Sequence, residues 1–90
     1  MTRYEMHLTG RVQGVGFRQF ASERAQRRGI TGWVRNERGG SVRIVAEGEK
    51  SDLDAFADEL REGPPLARVN DLEIERKEPS NQFTSFGIRH

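Results

Sequence analysis

One stretch decides how this 90-residue chain folds: Gly10-Arg11-Val12-Gln13-Gly14-Val15-Gly16-Phe17-Arg18. Before it, residues 3–8 alternate between polar and apolar side chains, which is typical of a half-buried β-strand. After it, apolar side chains recur at the spacing of one helix face, at Phe17, Phe20, Ala21 and Ala25. The stretch is therefore predicted to be a short connection between a strand and a helix.

The composition of this connection suits an anionic ligand. Gly14 and Gly16 allow a tight turn and leave backbone amides uncovered. The first N–H groups of the following helix have no partner inside the helix and carry the positive end of its dipole. Arg18 adds a charged, two-pronged donor at the same place. The pattern predicts a site for a phosphate-sized anion; a ligand-free turn and a surface salt bridge of Arg18 are the alternatives.

Length and composition restrict both fold and function. The chain is predicted to form one small domain, residues 1–90, and has 33% hydrophobic and 32% charged residues. Its 15 basic and 14 acidic residues give a net charge of +1, so no basic face for nucleic acid is expected. Cysteine is absent, which excludes disulfides and thiolate metal sites and favours the cytoplasm. No apolar run is long enough to cross a membrane, and we expect a monomer.

Strand and helix patterns alternate along the first half of the chain. The first helix is predicted over Phe17–Arg28, with Gly29 as the residue that ends it. A strand is predicted over Ile30–Asn36, followed by a hairpin turn at Glu37–Gly40 because paired glycines accept a positive φ. A third strand then runs from Val42 to about Gly48.

The second half begins with the clearest helix pattern in the chain. Apolar side chains follow one helix face, at Leu53, Phe56, Ala57 and Leu60. Ser51 is the predicted N-cap, and Gly63-Pro64-Pro65 ends the helix. A fourth strand is predicted over Val69–Lys77 with Leu72 and Ile74 inward, then a loop over residues 79–82 and a possible short final strand over Phe83–Ile88.

The element order is β-α-β-β-α-β with a possible extra strand at the end. A central hairpin flanked by two helical crossovers matches the split βαβ, ferredoxin-like motif. The fold class is therefore predicted to be α+β, a sandwich with an antiparallel sheet of four to five strands and both helices on one face. This architecture carries many unrelated activities, so function has to be argued from the site.

A second motif reduces the number of functions that the sequence is compatible with. Gly32-Trp33-Val34-Arg35-Asn36, together with the stretch at residues 10–18, closely resembles the acylphosphatase family. The resemblance runs nearly the full length and includes Gly40-Ser41-Val42, Ala46-Glu47-Gly48, Gly63-Pro64 and Phe86-Gly87-Ile88.

The resemblance implies hydrolysis of a mixed carboxyl–phosphoryl anhydride to carboxylate and inorganic phosphate. It implies a phosphate cradle of backbone amides formed by Gln13, Gly14, Val15, Gly16, Phe17 and Arg18. By the same resemblance Arg18 holds the phosphoryl group, and the side-chain amide of Asn36 orients the attacking water. It implies no metal, no cofactor and no covalent phosphoenzyme. Phosphoryl transfer depends mainly on positioning and charge stabilisation, which amides and a guanidinium supply.

Glu37 departs from the family pattern, which often has a small hydroxyl residue there. We expect this carboxylate to face solvent, toward Arg35 or Arg38, rather than the anion. Two other functions stay open. The first is a phosphate or carbamoyl-phosphate binding module without turnover, which would have no use for a water-positioning amide. The second is an RNA-binding domain, which would need paired aromatics on the open sheet face.

Several other residues have structural interpretations. Trp33 is expected to pack rather than bind substrate, and His7 and His90 are not expected to bind a metal. Asp52 and Asp54 fit the first turn of a helix. The arginines of the first helix, Arg24, Arg27 and Arg28, are expected to form a solvated face. The glycine spacing matches neither the dinucleotide-binding nor the Walker pattern, and no nucleophilic triad is visible.

Overall fold

A computed structural model describes all residues, 1–90. Its elements are β1 (Thr2–Arg11), α1 (Phe17–Arg27), β2 (Thr31–Asn36), β3 (Val42–Gly48), α2 (Lys50–Glu62), β4 (Arg68–Lys77) and β5 (Phe86–Arg89). The order and type of every element follow the sequence pattern. The largest shift in bounds is at β5, which begins at Phe86, whereas the sequence pattern begins at Phe83.

The five strands form one sheet in the order β4-β1-β3-β2-β5. The first four strands pair antiparallel, as predicted, but β5 pairs parallel with β2. The reason is the path of the chain: β4 and β5 lie at opposite edges, so the connection crosses one end of the sheet. The chain then returns along β5 in the direction of β2. The ferredoxin-like α+β class is confirmed, with a mixed rather than fully antiparallel sheet.

Both helices cover one face of this sheet. α1 packs against β2 and β5, whereas α2 packs against β3 and β4. A single hydrophobic cluster unites them; its members include the helix residues Phe17, Leu53 and Phe56 and the strand residues Met6 and Ile44. Burial of each such large side chain stabilises the fold by about 1.5–3 kcal/mol. Neither helix is long and apolar enough to cross a membrane.

The helix ends test two predictions from the sequence. Gly29 has φ +67°. Its N–H donates to the Gln26 carbonyl and the N–H of Ile30 donates to the Ala25 carbonyl, which together form a Schellman motif. This confirms the prediction that Gly29 ends the first helix. Ser51 as the N-cap of α2 is wrong: Glu49 is the N-cap. Its carbonyl already accepts from the Leu53 N–H, which places Ser51 inside the first turn.

The prediction for strand β4 is also partly wrong. Ile74 pairs with Met6 and so lies on the helix side of the sheet, but it is 38% exposed, not buried in the core as predicted. β4 is an edge strand, and Ile74 is not among the residues that pack against the core cluster. Leu72 is half-buried and packs against the core, as predicted. A register shift opposite Gly10 in β1 brings Val69 to the same face.

A buried carboxylate fastens the connection between β4 and β5 to the open face of the sheet. Glu47 of β3 is 1% exposed and accepts from the backbone amides of Ser80 and Asn81 at 2.7 and 3.0 Å. Nη1 of Arg3 donates to it at 3.0 Å. Burial alone would raise the pKa of Glu47, but the hydrogen bonds from Ser80, Asn81 and Arg3 outweigh it and lower that pKa. The ionised form therefore stabilises the fold.

Glu47→Gln is expected to lower the free energy of unfolding at neutral pH by about 3 kcal/mol, because it removes a buried charge and turns an acceptor into a donor. The folded pKa of Glu47 lies below the ordinary value of a glutamate side chain. The stabilisation is thus complete above the unfolded pKa and is lost as pH falls through the folded pKa. Urea unfolding at neutral and acidic pH measures this. A gap between wild type and variant that stays constant into acid would contradict the assignment.

Candidate active site

The connection from β1 to α1 has the backbone shape that its glycines predict. Gly14 has φ +72°, and Gly16, the N-cap of α1, has φ +78° and ψ +20°. Both are left-handed conformations in which a side chain would be strained. A Cβ at either position would meet no atom within 4 Å, so the space beside them is open. No side chain caps the helix, so the first backbone amides are not occupied by a cap.

A cavity of about 280 Å³ lies against this helix start. It brings together the loop, the first turn of α1, the end of β2 and the end of β5. Its lining residues are Val12, Gly14, Gly16, Phe17, Arg18, Gln19, Asn36, Ile88 and His90. Arg18 and Asn36, which are far apart in the sequence, thus line one cavity. The arrangement offers an anion a guanidinium, a carboxamide and a helix N-terminus.

Two residues of the predicted cradle, Gln13 and Val15, are not among the lining residues. Val15 is buried in the core cluster. The side chain of Gln13 points to the β2–β3 hairpin, where its Nε2 donates to the carbonyls of Glu37 and Ser41, both at 2.8 Å. Gln13 therefore ties the loop to the segment that follows Asn36. This is a structural role that the sequence pattern did not predict.

Asn36 occupies the last position of β2. Its Oδ1 is buried and has no hydrogen-bond partner in the protein. An unpaired buried acceptor costs about 1–3 kcal/mol, so this atom requires a donor. Water is the smallest donor that meets this need.

Arg18 lies in the first turn of α1 and is half-buried. Its Nη1 is 3.3 Å from Nδ1 of His90. Phe17, immediately before it, is almost fully buried in the core cluster. The packing of Phe17 fixes the start of the helix, and this in turn fixes where the Arg18 side chain begins.

Glu37 points away from the cavity, as expected. Its carboxylate lies 3.4 Å from Nη2 of Arg35 and 3.9 Å from Nε2 of His7. On the same open face of the sheet, the guanidiniums of Arg35 and Arg89 lie 5.0 and 4.8 Å from the Trp33 ring centroid. Trp33 thus contacts two guanidiniums and does not line the cavity, which agrees with the packing interpretation.

The solvated face expected for Arg24, Arg27 and Arg28 is wrong for two of them: Arg27 is exposed, but Arg24 and Arg28 are half-buried and paired with α2. Arg24 and Arg28 both donate to Glu59 of α2 at 2.7 Å. Burial raises the pKa of Glu59, but these two hydrogen bonds outweigh it and the net pKa is lowered. Asp52 lies 3.9 Å from Nη1 of Arg28, so these two arginines face two carboxylates. Elsewhere, no group of three or more His, Asp and Glu side chains is arranged to hold a metal ion.

Sequence reasoning missed part of the site. His90 and Ile88 line the cavity, as do Val12 and Gln19, and none of these was assigned to it. A weak signal existed: residues 86, 88 and 90 alternate along β5 and therefore share a face with the buried Phe86. Only the parallel pairing with β2 shows that this face ends beside Arg18.

Known proteins share this sequence and this fold. The sequence model of the acylphosphatase family matches residues 4–88. An acylphosphatase of Salinibacter ruber is 45% identical over 87 residues, covering 97% of this chain and 92% of its own. The crystal structure of acylphosphatase from Bacillus subtilis superposes with a TM-score of 0.97 at 36% identity, covering 100% of both chains.

The fold also occurs inside a longer protein. Full-length HypF, crystallised in a phosphate- and nucleotide-bound form, matches 99% of this chain at a TM-score of 0.90 and 32% identity, over 12% of its own length. The match across nearly all of the sequence and the superposed fold agree with each other. This chain belongs to the acylphosphatase family.

Proposed function

We propose that the cavity between the β1–α1 loop and Asn36 is where this acylphosphatase hydrolyses the carboxyl–phosphate bond of small acyl phosphates. The products are a carboxylate and inorganic phosphate. The observation that supports this site most strongly is that Arg18 and Asn36 line the same cavity, at an uncapped helix start with two left-handed glycines. That combination supplies both an anion-binding and a water-binding group in one place.

The phosphoryl group is held by the loop from Gln13 to Arg18. Backbone amides at the helix start donate to its oxygens, and the dipole of α1 favours its negative charge. Arg18 adds a planar fork that can donate to two oxygens at once. Because these donors are fixed by the fold, they stabilise the charge that spreads over the equatorial oxygens as the bond to the leaving group weakens.

Asn36 orients the attacking water. The buried, unpartnered Oδ1 supports this role, because a water hydrogen satisfies it. A carboxamide cannot remove a proton at neutral pH, so Asn36 acts by position and not as a base. The water oxygen forms a bond to phosphorus while the bond from phosphorus to the acyl oxygen breaks. The electron pair leaves with the carboxylate, and the water proton passes to a phosphoryl oxygen.

The alternative is a module that binds phosphate or carbamoyl phosphate without turnover. The occurrence of this fold within 12% of HypF shows that the domain can be part of a longer protein. The presence of Asn36 in the cavity favours hydrolysis, because pure anion binding does not need a group that positions water. We further propose that residues 1–90 act as a single monomeric domain in the cytoplasm.

Hydrolysis of benzoyl phosphate tests the proposal. The purified protein is expected to release phosphate from it at the same rate with and without EDTA, because amides, a guanidinium and a carboxamide supply the stabilisation. The disappearance of the benzoyl phosphate absorbance follows the reaction directly. No turnover at high enzyme concentration, together with tight phosphate binding, would favour the binding module. Loss of turnover in EDTA, restored by a metal ion, would contradict the metal-free mechanism.

A further inference from the structure

The cavity beside Arg18 contains a second ionisable side chain that the hydrolysis described for Arg18 and Asn36 does not use. His90 lies one residue beyond β5, and its side chain lines the cavity. Its Nδ1 lies 3.3 Å from Nη1 of Arg18. We propose that His90 is a proton-controlled second cation of the anion site, so that protonation of its imidazole strengthens substrate binding. The inference rests on the proposed function, since it takes this cavity as the phosphoryl site.

In its neutral form His90 accepts a hydrogen bond. A guanidinium has donors only, so the contact with Arg18 requires an unprotonated Nδ1 and places the imidazole proton on Nε2. The neutral imidazole thereby holds the Arg18 side chain at the cavity wall. In this state Arg18 is the only cation that the cavity offers to an anion.

Protonation of His90 changes the number of positive charges that His90 and Arg18 present to an anion. A proton taken up from solvent at Nδ1 ends the hydrogen bond and leaves two like charges side by side, which repel each other while no anion is bound. A phosphoryl dianion in the cavity attracts both cations and offsets this repulsion. Anion binding and protonation of His90 therefore favour each other, and by linkage the affinity for the anion rises as pH falls.

The side chains that line the cavity beside His90 carry no negative charge. α1 contributes Arg18, and the side chain that β2 contributes to the cavity, Asn36, is uncharged. No Asp or Glu side chain lines the cavity. Arg89, the neighbour in sequence, points to the opposite face of the sheet, where it lies over Trp33. The charge of His90 is therefore available to a bound anion.

The other histidine of the chain provides a matched control. His7 lies on the open face of the sheet, where its ring nitrogens are 3.9 Å from a carboxylate oxygen of Glu37 and 3.6 Å from one of Glu73. It faces two carboxylates and does not line the cavity. His7→Gln and His90→Gln make the same chemical change at two sites, only one of which is proposed to bind the anion.

Sulfate is the probe, because its charge stays the same across the range in which histidine titrates. Its Kd is measured by calorimetry at about pH 8 and about pH 5.5 for wild type, His90→Gln and His7→Gln. Wild type and His7→Gln are expected to bind sulfate about threefold to tenfold more tightly at the acidic pH. His90→Gln is expected to show the same Kd at both. Circular dichroism confirms that each variant is folded.

Parallel pH profiles for wild type and His90→Gln would overturn the role of His90. The proposed function fails separately: it is overturned if Arg18→Ala binds sulfate as tightly as wild type does at the alkaline pH, because the anion would then bind elsewhere. A wild-type profile that is flat, with binding that still depends on Arg18, overturns the inference on His90 and leaves the proposed site intact.

Discussion

Arg18→Ala is expected to lower kcat/KM for benzoyl phosphate by about a hundredfold to a thousandfold, which is the usual effect of removing one charge-stabilising donor. The loss has a ground-state and a transition-state part, because the guanidinium contacts the phosphoryl group in both. Competitive inhibition by inorganic phosphate should therefore weaken together with kcat. Steady-state kinetics with phosphate as the inhibitor measure both quantities in one set of assays.

Arg27→Ala is the control for this substitution. Arg27 is on the same helix, is exposed and does not line the cavity, so its removal changes the net charge equally without touching the site. Its kinetics should match wild type. Arg18→Lys separates charge from geometry, since lysine keeps the charge and loses the planar fork; we expect only partial activity. An Arg18→Ala enzyme with near-normal kcat/KM would contradict the anion-binding role.

Asn36→Ala is expected to lower kcat by at least about a hundredfold while phosphate still binds within about twofold of wild type. The physical reason is that binding and water positioning depend on different residues of the site. Arg18 and the loop amides hold the phosphoryl group, whereas Asn36 contacts only the attacking water. Turnover measurements and phosphate titration by calorimetry distinguish the two effects.

Glu37→Thr is the matched control for Asn36→Ala. It alters the adjacent residue, whose carboxylate faces Arg35 and His7 and not the cavity. Its kcat and KM should stay close to the wild-type values. If Asn36→Ala kept most of its rate, or if phosphate binding fell in parallel with kcat, the water-orienting role would be wrong.

The sequence predicted those parts of the fold that depend on local pattern. Leu53, Phe56, Ala57 and Leu60 recur at helical spacing, and all four are buried in α2. Gly29 and the paired glycines at 39 and 40 have the positive φ that their positions required. These features depend on neighbours in the chain, so periodicity and turn chemistry were sufficient to find them.

The missed features depend on contacts between distant segments. The parallel pairing of β5 is set by the path of the chain from one edge of the sheet to the other. The exposure of Ile74 follows from the place of β4 at the edge of the sheet. No local pattern carries that information. His90 was overlooked for the same reason, since only β5 pairing brings it beside Arg18.

The bond that Gln13 makes to the β2–β3 hairpin has a consequence for how substrate energy is used. Because folding itself locks the two halves of the catalytic pocket against each other, an arriving ligand does not have to organise them. For a substrate that is little larger than its phosphoryl group, the binding energy is then not used to order the site. It can lower the activation barrier instead. This arrangement suits a protein of 90 residues, because it has little surface available to contact the rest of a small substrate.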